Sequence, residues 1–344
     1  MKYSRKLFSL VLSVGLILNI TGNIGVKANN VDEIVTIKGS NDFVKVHIPP
    51  KNWDPIHASK AELNYYGYPS RPEGDKEISN WNKMVSATWV KPEFAISDIK
   101  HKPHDTKKSD DINNMVHASS SNWAGFIHTG TSYGSGGHWL VPSVSTPTLQ
   151  RGYSSQWVGI GGGNSTSKTL AQIGTSAQSG LVSNSYYPWF EIYGSNAINN
   201  GYEVKITNFS VSPGDKMYGV VQIQSIANSN VTFWFYLVDE TKGTSTSFSK
   251  IVSITDNVGV NQTAEWISEN VDYLYPKTVT NGSSVVSFLQ CKYERGLNSD
   301  WTTLSDSDSS ISECDMYSSS NSRYMALPGN ISSGNFDISW MNYN

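Results

Sequence analysis

The pattern of apolar and polar positions changes character near residue 118. Before it, the spacing is helical. Ser59-Lys60-Ala61-Glu62 has the form of a capping box, Leu63 follows, and Gly67 is placed to stop the turn. Ile78, Trp81, Met84 and Val85 recur at three- and four-residue intervals, which predicts a second helix over 76–87. The stretch HKPHDTKKSDDINN then reads as an exposed linker ending near Met115. Beyond 118 short strand-like runs succeed one another: WAGFIHT, HWLVPSV, SQWVGIG, TLAQIGT, YPWFEIY, EVKITNFSV, KMYGVVQIQSI, VTFWFYLVD, FSKIVSI, TAEWISE, VVSFLQCKY, YMALP and FDISW. Gly, Ser, Asn and Pro clusters separate them, and no helical stretch intervenes, so an all-β sandwich is expected. No fixed repeat period points to a propeller or solenoid.

Alternation within the runs sorts faces. In YPWFEIY, Trp189, Glu191 and Tyr193 share one face while Phe190 and Ile192 share the other. The first carries two aromatics and a carboxylate, which suits a groove that holds a peptide or a sugar. The run FWFYLV at 233–238 is apolar on both faces and predicts a central buried strand. Three polar residues stand inside apolar runs: Gln172, Glu191 and Glu265. A buried carboxylate is costly unless paired or used. On a groove face it can act as a general base, and a glutamine amide can donate a hydrogen bond to a developing oxyanion. The residues alone leave open the plainer reading, polar side chains on a wet face.

Composition narrows the classes. Residues 1–28 carry Lys2, Arg5 and Lys6, an apolar run from about Leu7 to Ile20, and a small-residue cut site at Val26-Lys27-Ala28, the plan of a secretory signal. An exported protein, soluble and free of the membrane once the signal is removed, is expected. The 344 residues hold 26 Lys and Arg against 29 Asp and Glu. Residues 118–344 account for 10 of the basic and 16 of the acidic side chains, too sparse a positive charge for nucleic-acid binding. An exported chain meets oxidising conditions, so Cys291 and Cys314, the two cysteines, are expected to pair. The bridge would close a loop of about 22 residues and contribute roughly 3 kcal/mol.

Other motifs carry less. GTSYG around Ser132 matches a nucleophile elbow, but it lies between strand runs and reads as a hairpin loop. GIGGGN at 159–164 lacks the Lys-Ser/Thr of a phosphate loop and reads as a tight turn. His128 and His138 have no cysteine or acidic residue at ligand spacing and read as ordinary strand residues, with no metal called for. Asp300, Asp306, Asp308, Glu313 and Asp315 read as an acidic solvated loop.

SNWAG, WLVPSV, QWVGIGG, LAQIGT, YPWFEIY, VSPGD and AEWI occur in that order between 121 and 267. Together they resemble the glutamic peptidases, the eqolisin family, over about residues 119–344. The resemblance implies a concanavalin-like β-sandwich of two large antiparallel sheets, acid-active endopeptidase activity and no cofactor. It implies Gln172 and Glu265 as the catalytic pair, the glutamate activating water and the glutamine stabilising the tetrahedral intermediate. It places Trp123, Trp157, Trp189, Glu191 and Tyr193 along the substrate groove. Gly161 stands where well-known fungal members carry an acidic residue, which bears on groove polarity and pH range.

The organisation that follows is a signal peptide over 1–28, a pro-segment and linker over 29–117, and a catalytic domain over 118–344. Protein or peptide substrates are expected, with the pro-segment as an intramolecular inhibitor and a monomeric state. Of the pro-segment side chains, His101, His104 and His117 are expected to gain charge on acidification, and several lysines to pair with the acidic sandwich in pairs that acid weakens as the carboxylates protonate. Two other classes fit parts of the pattern. A glycoside hydrolase on a similar sandwich would use Glu191 and Glu265 but has no need of Gln172. A lectin-like binding module fits the aromatic face but leaves a pro-segment without purpose.

Overall fold

The computed structural model describes residues 31–101, 107–108, 116–145, 152–163, 169–180, 182–194, 201–253, 259–271, 279–280 and 285–341. The expected signal, most of the linker and His104 lie outside the described residues, as does the side chain of His117.

Two large layers of antiparallel strands face each other. The first runs, in spatial order, through Ile311–Ser318, Trp123–Thr129, Thr263–Glu269, Gly152–Ile160, Leu170–Ser179, Ser185–Tyr193 and Tyr202–Ile206. The second runs through Arg323–Pro328, Phe336–Trp340, Val285–Glu294, Gly134–Leu140, Lys216–Ala227, Asn230–Asp239 and Thr244–Ser253. Alternate side chains of both meet in one apolar core, with Val158, Ile173, Phe190, Ile192 and Trp266 from the first layer against Trp139, Val221, Phe233, Phe235 and Phe288 from the second. Phe190 and Ile192 therefore point inward and Trp189 outward, as the period-two pattern requires.

The leader is more strand than the sequence pattern suggests. Val31–Lys38 pairs antiparallel with Phe43–Ile48 and parallel with Phe94–Lys100, which in turn adds to Tyr202–Ile206 at the edge of the first layer. Lys45 opposite Ser249, and Thr88–Trp89 beside Thr244–Ser253, tie the leader to the edge of the second. The helices form where expected. Helix α1, Lys60–Tyr66, has the full Ser59–Glu62 capping box and ends at Gly67 in the left-handed conformation. Helix α2, Asp75–Val85, follows.

Both helices bury their apolar sides on the outer face of the second layer. Leu63, Tyr66, Trp81, Met84 and Val85 form one cluster with Tyr218, Val220, Tyr236 and Val238. This explains why FWFYLV is apolar on both faces: one face meets the core and the other meets the leader. The approach is closest at Gly67, where a Cβ would fall 0.7 Å from a ring atom of Trp234.

Three expectations need correction. Cys291 and Cys314 are not bridged; both are free and buried. Their side chains leave opposite faces of the fold, Cys291 into the core between the layers and Cys314 into the aromatic cluster on the far side of the first layer. GTSYG is not a hairpin loop: Trp123–Thr129 before it and Gly134–Leu140 after it lie in different layers, so it carries the chain from one to the other. The acidic loop is part strand, because Glu313 and Asp315 sit in Ile311–Ser318 between two pairing partners.

Candidate active site

The outward face of the first layer brings the expected residues together. Glu265, Gly159, Gln172 and Glu191 stand directly opposite one another on four adjacent strands and form one row across the sheet. Neighbouring strands are about 4.8 Å apart, so Gln172 and Glu265 are separated by about 10 Å at the backbone. Gly159 between them has no side chain of its own, and the side chains of Trp157 and Leu170 lean over it. A Cβ at Gly159 would come within 3.0 Å of Trp157 Cζ3 and 2.9 Å of Leu170 Cδ1.

Aromatic side chains flank this row. Trp123, Trp157 and Trp189 join Ile127, Leu170, Ile267 and Cys314 in a single cluster, with Tyr187 and Tyr193 packed against it. Trp123 and Trp157 meet edge to face at 4.8 Å. All five residues expected to line the groove therefore share the face of Gln172 and Glu265.

Both carboxyl groups of the row are buried, and their surroundings differ. Glu265 has no hydrogen-bond partner on either oxygen among the described residues. Burial pushes its carboxyl well above the usual range, against the weaker pull of the Thr263 hydroxyl and the Gly163 amide. Gly163 fits tightly there: a Cβ on it would sit 2.6 Å from Glu265 Oε1. Glu191 is engaged. Gln172 Nε2 donates to Glu191 Oε2 at 2.6 Å, while Gln172 Oε1 and Glu191 Oε1 have no partner among the described residues. Burial raises the Glu191 carboxyl to about 7.

His101, at the end of the described leader, enters the same face. It is 2 % exposed, with Nδ1 3.0 Å from Glu269 Oε2 and Nε2 3.1 Å from Glu203 Oε1. Glu191 Oε2 lies 3.9 Å from Nε2, and the ring sits 4.7 Å from Trp189. Donors preset the carboxylates: Trp157 Nε1 and Asn122 Nδ2 donate to Glu269 at 2.8 and 3.0 Å, and Ser176 Oγ donates to Glu203 at 2.6 Å. Burial alone would depress the imidazole, but the Glu269 and Glu191 charges and the hydrogen bonds of Glu203 and Glu269 outweigh it and hold it well above its usual value. The buried carboxylates thus hold the His101 imidazole toward its charged form.

The sequence pattern passed over Gly159, Glu203 and Glu269. Period-two alternation places Glu269 on the face of Glu265, so that one was open to detection; Gly159 and Glu203 acquire meaning only from the register of neighbouring strands. His128 has a different role from any of these: its Nδ1 lies 2.8 Å from Ser132 Oγ in a buried contact in the crossover, and burial pushes it down to about 4.

The model of the peptidase A4 family matches residues 121–324. Among solved structures, the chain is similar to scytalido-glutamic peptidase bound to a transition-state analogue inhibitor, at 19 % identity over 64 % of this chain and 98 % of that one, with a TM-score of 0.50. The same enzyme with a peptide-based transition-state analogue gives 20 % identity, the same coverage and a TM-score of 0.50. Aspergilloglutamic peptidase from Aspergillus niger is 18 % identical over 55 % of this chain and 99 % of that one, with a TM-score of 0.42. No curated protein matches the chain.

Proposed function

The chain belongs to the peptidase A4 family, the eqolisin glutamic peptidases, and is therefore a peptidase; from that premise we propose that it is an acid-acting endopeptidase whose reacting pair is Glu265 and Gln172. The observation that carries this reading is the shared row, with Glu265 and Gln172 on the two strands that flank Gly159. Glu265 in its ionised form takes a proton from a water held between it and Gln172, and the water oxygen adds to the scissile carbonyl. The Gln172 amide donates a hydrogen bond to the oxygen that becomes negative. Glu265 then hands the proton to the leaving amine as the carbon–nitrogen bond breaks. Neither group depends on a histidine, which would be protonated and unable to act as a base in acid.

The chain is made as an exported zymogen in this reading, with 1–28 as signal and 29–117 as intramolecular inhibitor. His101 supports it, because a leader side chain occupies the face on which substrate would lie. The dry surroundings of Glu265 support it too. A carboxyl held neutral by burial cannot act as a base, and readmitting water as the groove opens lowers its pKa toward the ordinary range.

The test is cleavage of casein from pH 2 to 8 after acid incubation of the full chain, with pepstatin and a chelator present. Wild type should cleave in acid, Glu265→Gln should be inactive while still folded, and Gln172→Ala should lose about 10²–10³-fold in turnover. Proteolysis retained by folded Glu265→Gln would overturn the assignment.

A further inference from the structure

We propose that Glu191 is a positioning residue whose protonation decides which end of the Gln172 amide faces away from it, toward Gly159 and Glu265 in the same row. The inference rests on Gln172 being the oxyanion donor. As the side chains stand, Gln172 Nε2 donates to Glu191 Oε2 and Gln172 Oε1 has no partner among the described residues. One N–H is spent on Glu191, and the amide's free acceptor is a carbonyl oxygen, which repels an oxyanion. A terminal amide turned by half a revolution exchanges its nitrogen and oxygen with almost no change of shape. That turn is opposed while Glu191 is an anion, because two acceptors would then meet at 2.6 Å.

Protonation removes the opposition. Glu191 takes one proton from solvent, its O–H donates to Gln172 Oε1, and the hydrogen bond from Nε2 breaks. The whole NH2 group then turns away from Glu191, toward the Gly159 and Glu265 side of the row. No bond other than the carboxyl O–H is made or broken. The pair is fully buried, so a mismatched acceptor–acceptor contact is expensive and the two orientations exclude each other.

Four ionisable groups face Glu191. His101 from the leader favours its anion, while Glu203 on Tyr202–Ile206 and Glu269 on Thr263–Glu269 disfavour it. Tyr193, two residues along the same strand, feels its charge in turn. Burial lifts the carboxyl to about 7 with His101 in place. Withdrawal of His101 removes the one cation of this set, and Glu191 then holds its proton to higher pH. The leader therefore acts twice on the reacting pair: it occupies the groove, and it favours the Glu191 anion that keeps the Gln172 amino group turned away.

The experiment is kcat and KM for a peptide substrate from pH 2 to 10, on acid-activated wild type, Glu191→Gln and Glu191→Leu. Glu191→Gln can donate permanently to Gln172 Oε1, so it should keep kcat within about tenfold at the acid optimum. Its basic limb should move up by at least one pH unit. Glu191→Leu offers no donor and should lose about 10²–10³-fold in kcat with little change in KM, the loss typical of one oxyanion donor. A Glu191→Gln profile superimposable on wild type, or a Glu191→Leu variant with wild-type kcat, overturns the proposal. Loss of activity in Glu265→Gln alongside either result leaves the catalytic assignment standing while this inference falls.

Discussion

The leader meets the sandwich on two faces of opposite chemistry. On the outer face of the second layer, Leu63, Tyr66, Trp81 and Met84 pack on Tyr218, Val220, Tyr236 and Val238, all of them buried. On the groove face of the first layer, His101 stands between Glu191, Glu203 and Glu269. Apolar burial is indifferent to acid, whereas a buried cation loses part of its hold when Glu191, raised to about 7, is neutralised. The two contacts of one segment are therefore addressed by different variables. Acid should release the groove and leave the outer docking in place, so that after a cut on the C-terminal side of His101 the leader body stays bound to the catalytic domain. Size exclusion with mass spectrometry of acid-treated protein reads this directly: co-elution of leader and domain is expected, and separation in acid without denaturant would break the contrast.

The largest effect is expected where the apolar contact is tightest. Gly67 has φ of 73°, and a Cβ there would overlap the Trp234 ring. Gly67→Val combines left-handed strain of about 1–2 kcal/mol with overpacking of about 1–3 kcal/mol. Trp234→Ala should cost about 3–5 kcal/mol by cavity formation. Both should lower the thermal midpoint of the full chain at pH 7 and at pH 4 alike. A loss confined to one pH would mean that the outer face is not the acid-indifferent half of the pair.

How legible these two faces were in the sequence differs for a physical reason. Local signals survive folding: the Ser59 capping box, the Gly67 stop and the strands WAGFIHT, TAEWISE and FDISW lie where the pattern puts them. The pairing of Gln172 with Glu265 is implied by the order and spacing of the motifs, and the register puts the two in one row. What was not legible depends on contacts between distant segments. FWFYLV announced a strand covered on both sides without naming what covered it. Gly159 matters only because Glu265 and Gln172 fall opposite it. The cysteine bridge failed because compartment and count say nothing about which face a side chain leaves from, and Cys291 and Cys314 leave from opposite ones.

A middle-sized effect should appear at His101. His101→Ala removes the cation but none of the apolar docking, so stability should change by less than at Gly67. The sign with pH follows from the raised imidazole pKa. A histidine with a folded pKa above 6.5 contributes stability fully present below 6.5 and lost as pH rises through the folded value. Wild type and variant should thus differ near neutrality, converging at high pH, where the imidazole is neutral, and in acid strong enough to neutralise the carboxylates. Self-processing, followed by gel after timed incubation, should begin at a pH higher by about one unit in the variant, because the latch no longer has to be neutralised first. An unchanged onset would remove His101 from the closing device. The ring's NMR titration gives an independent check: His101 should read as imidazolium at pH 7.

The smallest expected effect lies away from both faces, at the Arg295–Asp308 pair. Burial acts against the Asp308 anion, but the Ser310 and Tyr293 hydroxyls and then Arg295, whose Nη2 lies 2.8 Å away, hold it down at about 2. A depressed carboxyl contributes stability that is present above its unfolded value, near 3.8, and is lost as pH falls through about 2. In the groove the order is reversed, since Glu191 is raised to about 7 and is already neutral in mild acid. Between about pH 3 and 6 the sandwich therefore keeps its structural anion while the face of Glu191 has lost one of its own. Asp308→Asn should leave activity at pH 5 unchanged and lower the thermal midpoint by a few degrees, about 1 kcal/mol for a part-exposed pair. The deficit should shrink as pH falls toward 2. A deficit that grew toward pH 2 would mean that Asp308 is not the depressed group, and the acid tolerance of the scaffold would then have to come from its apolar contacts alone.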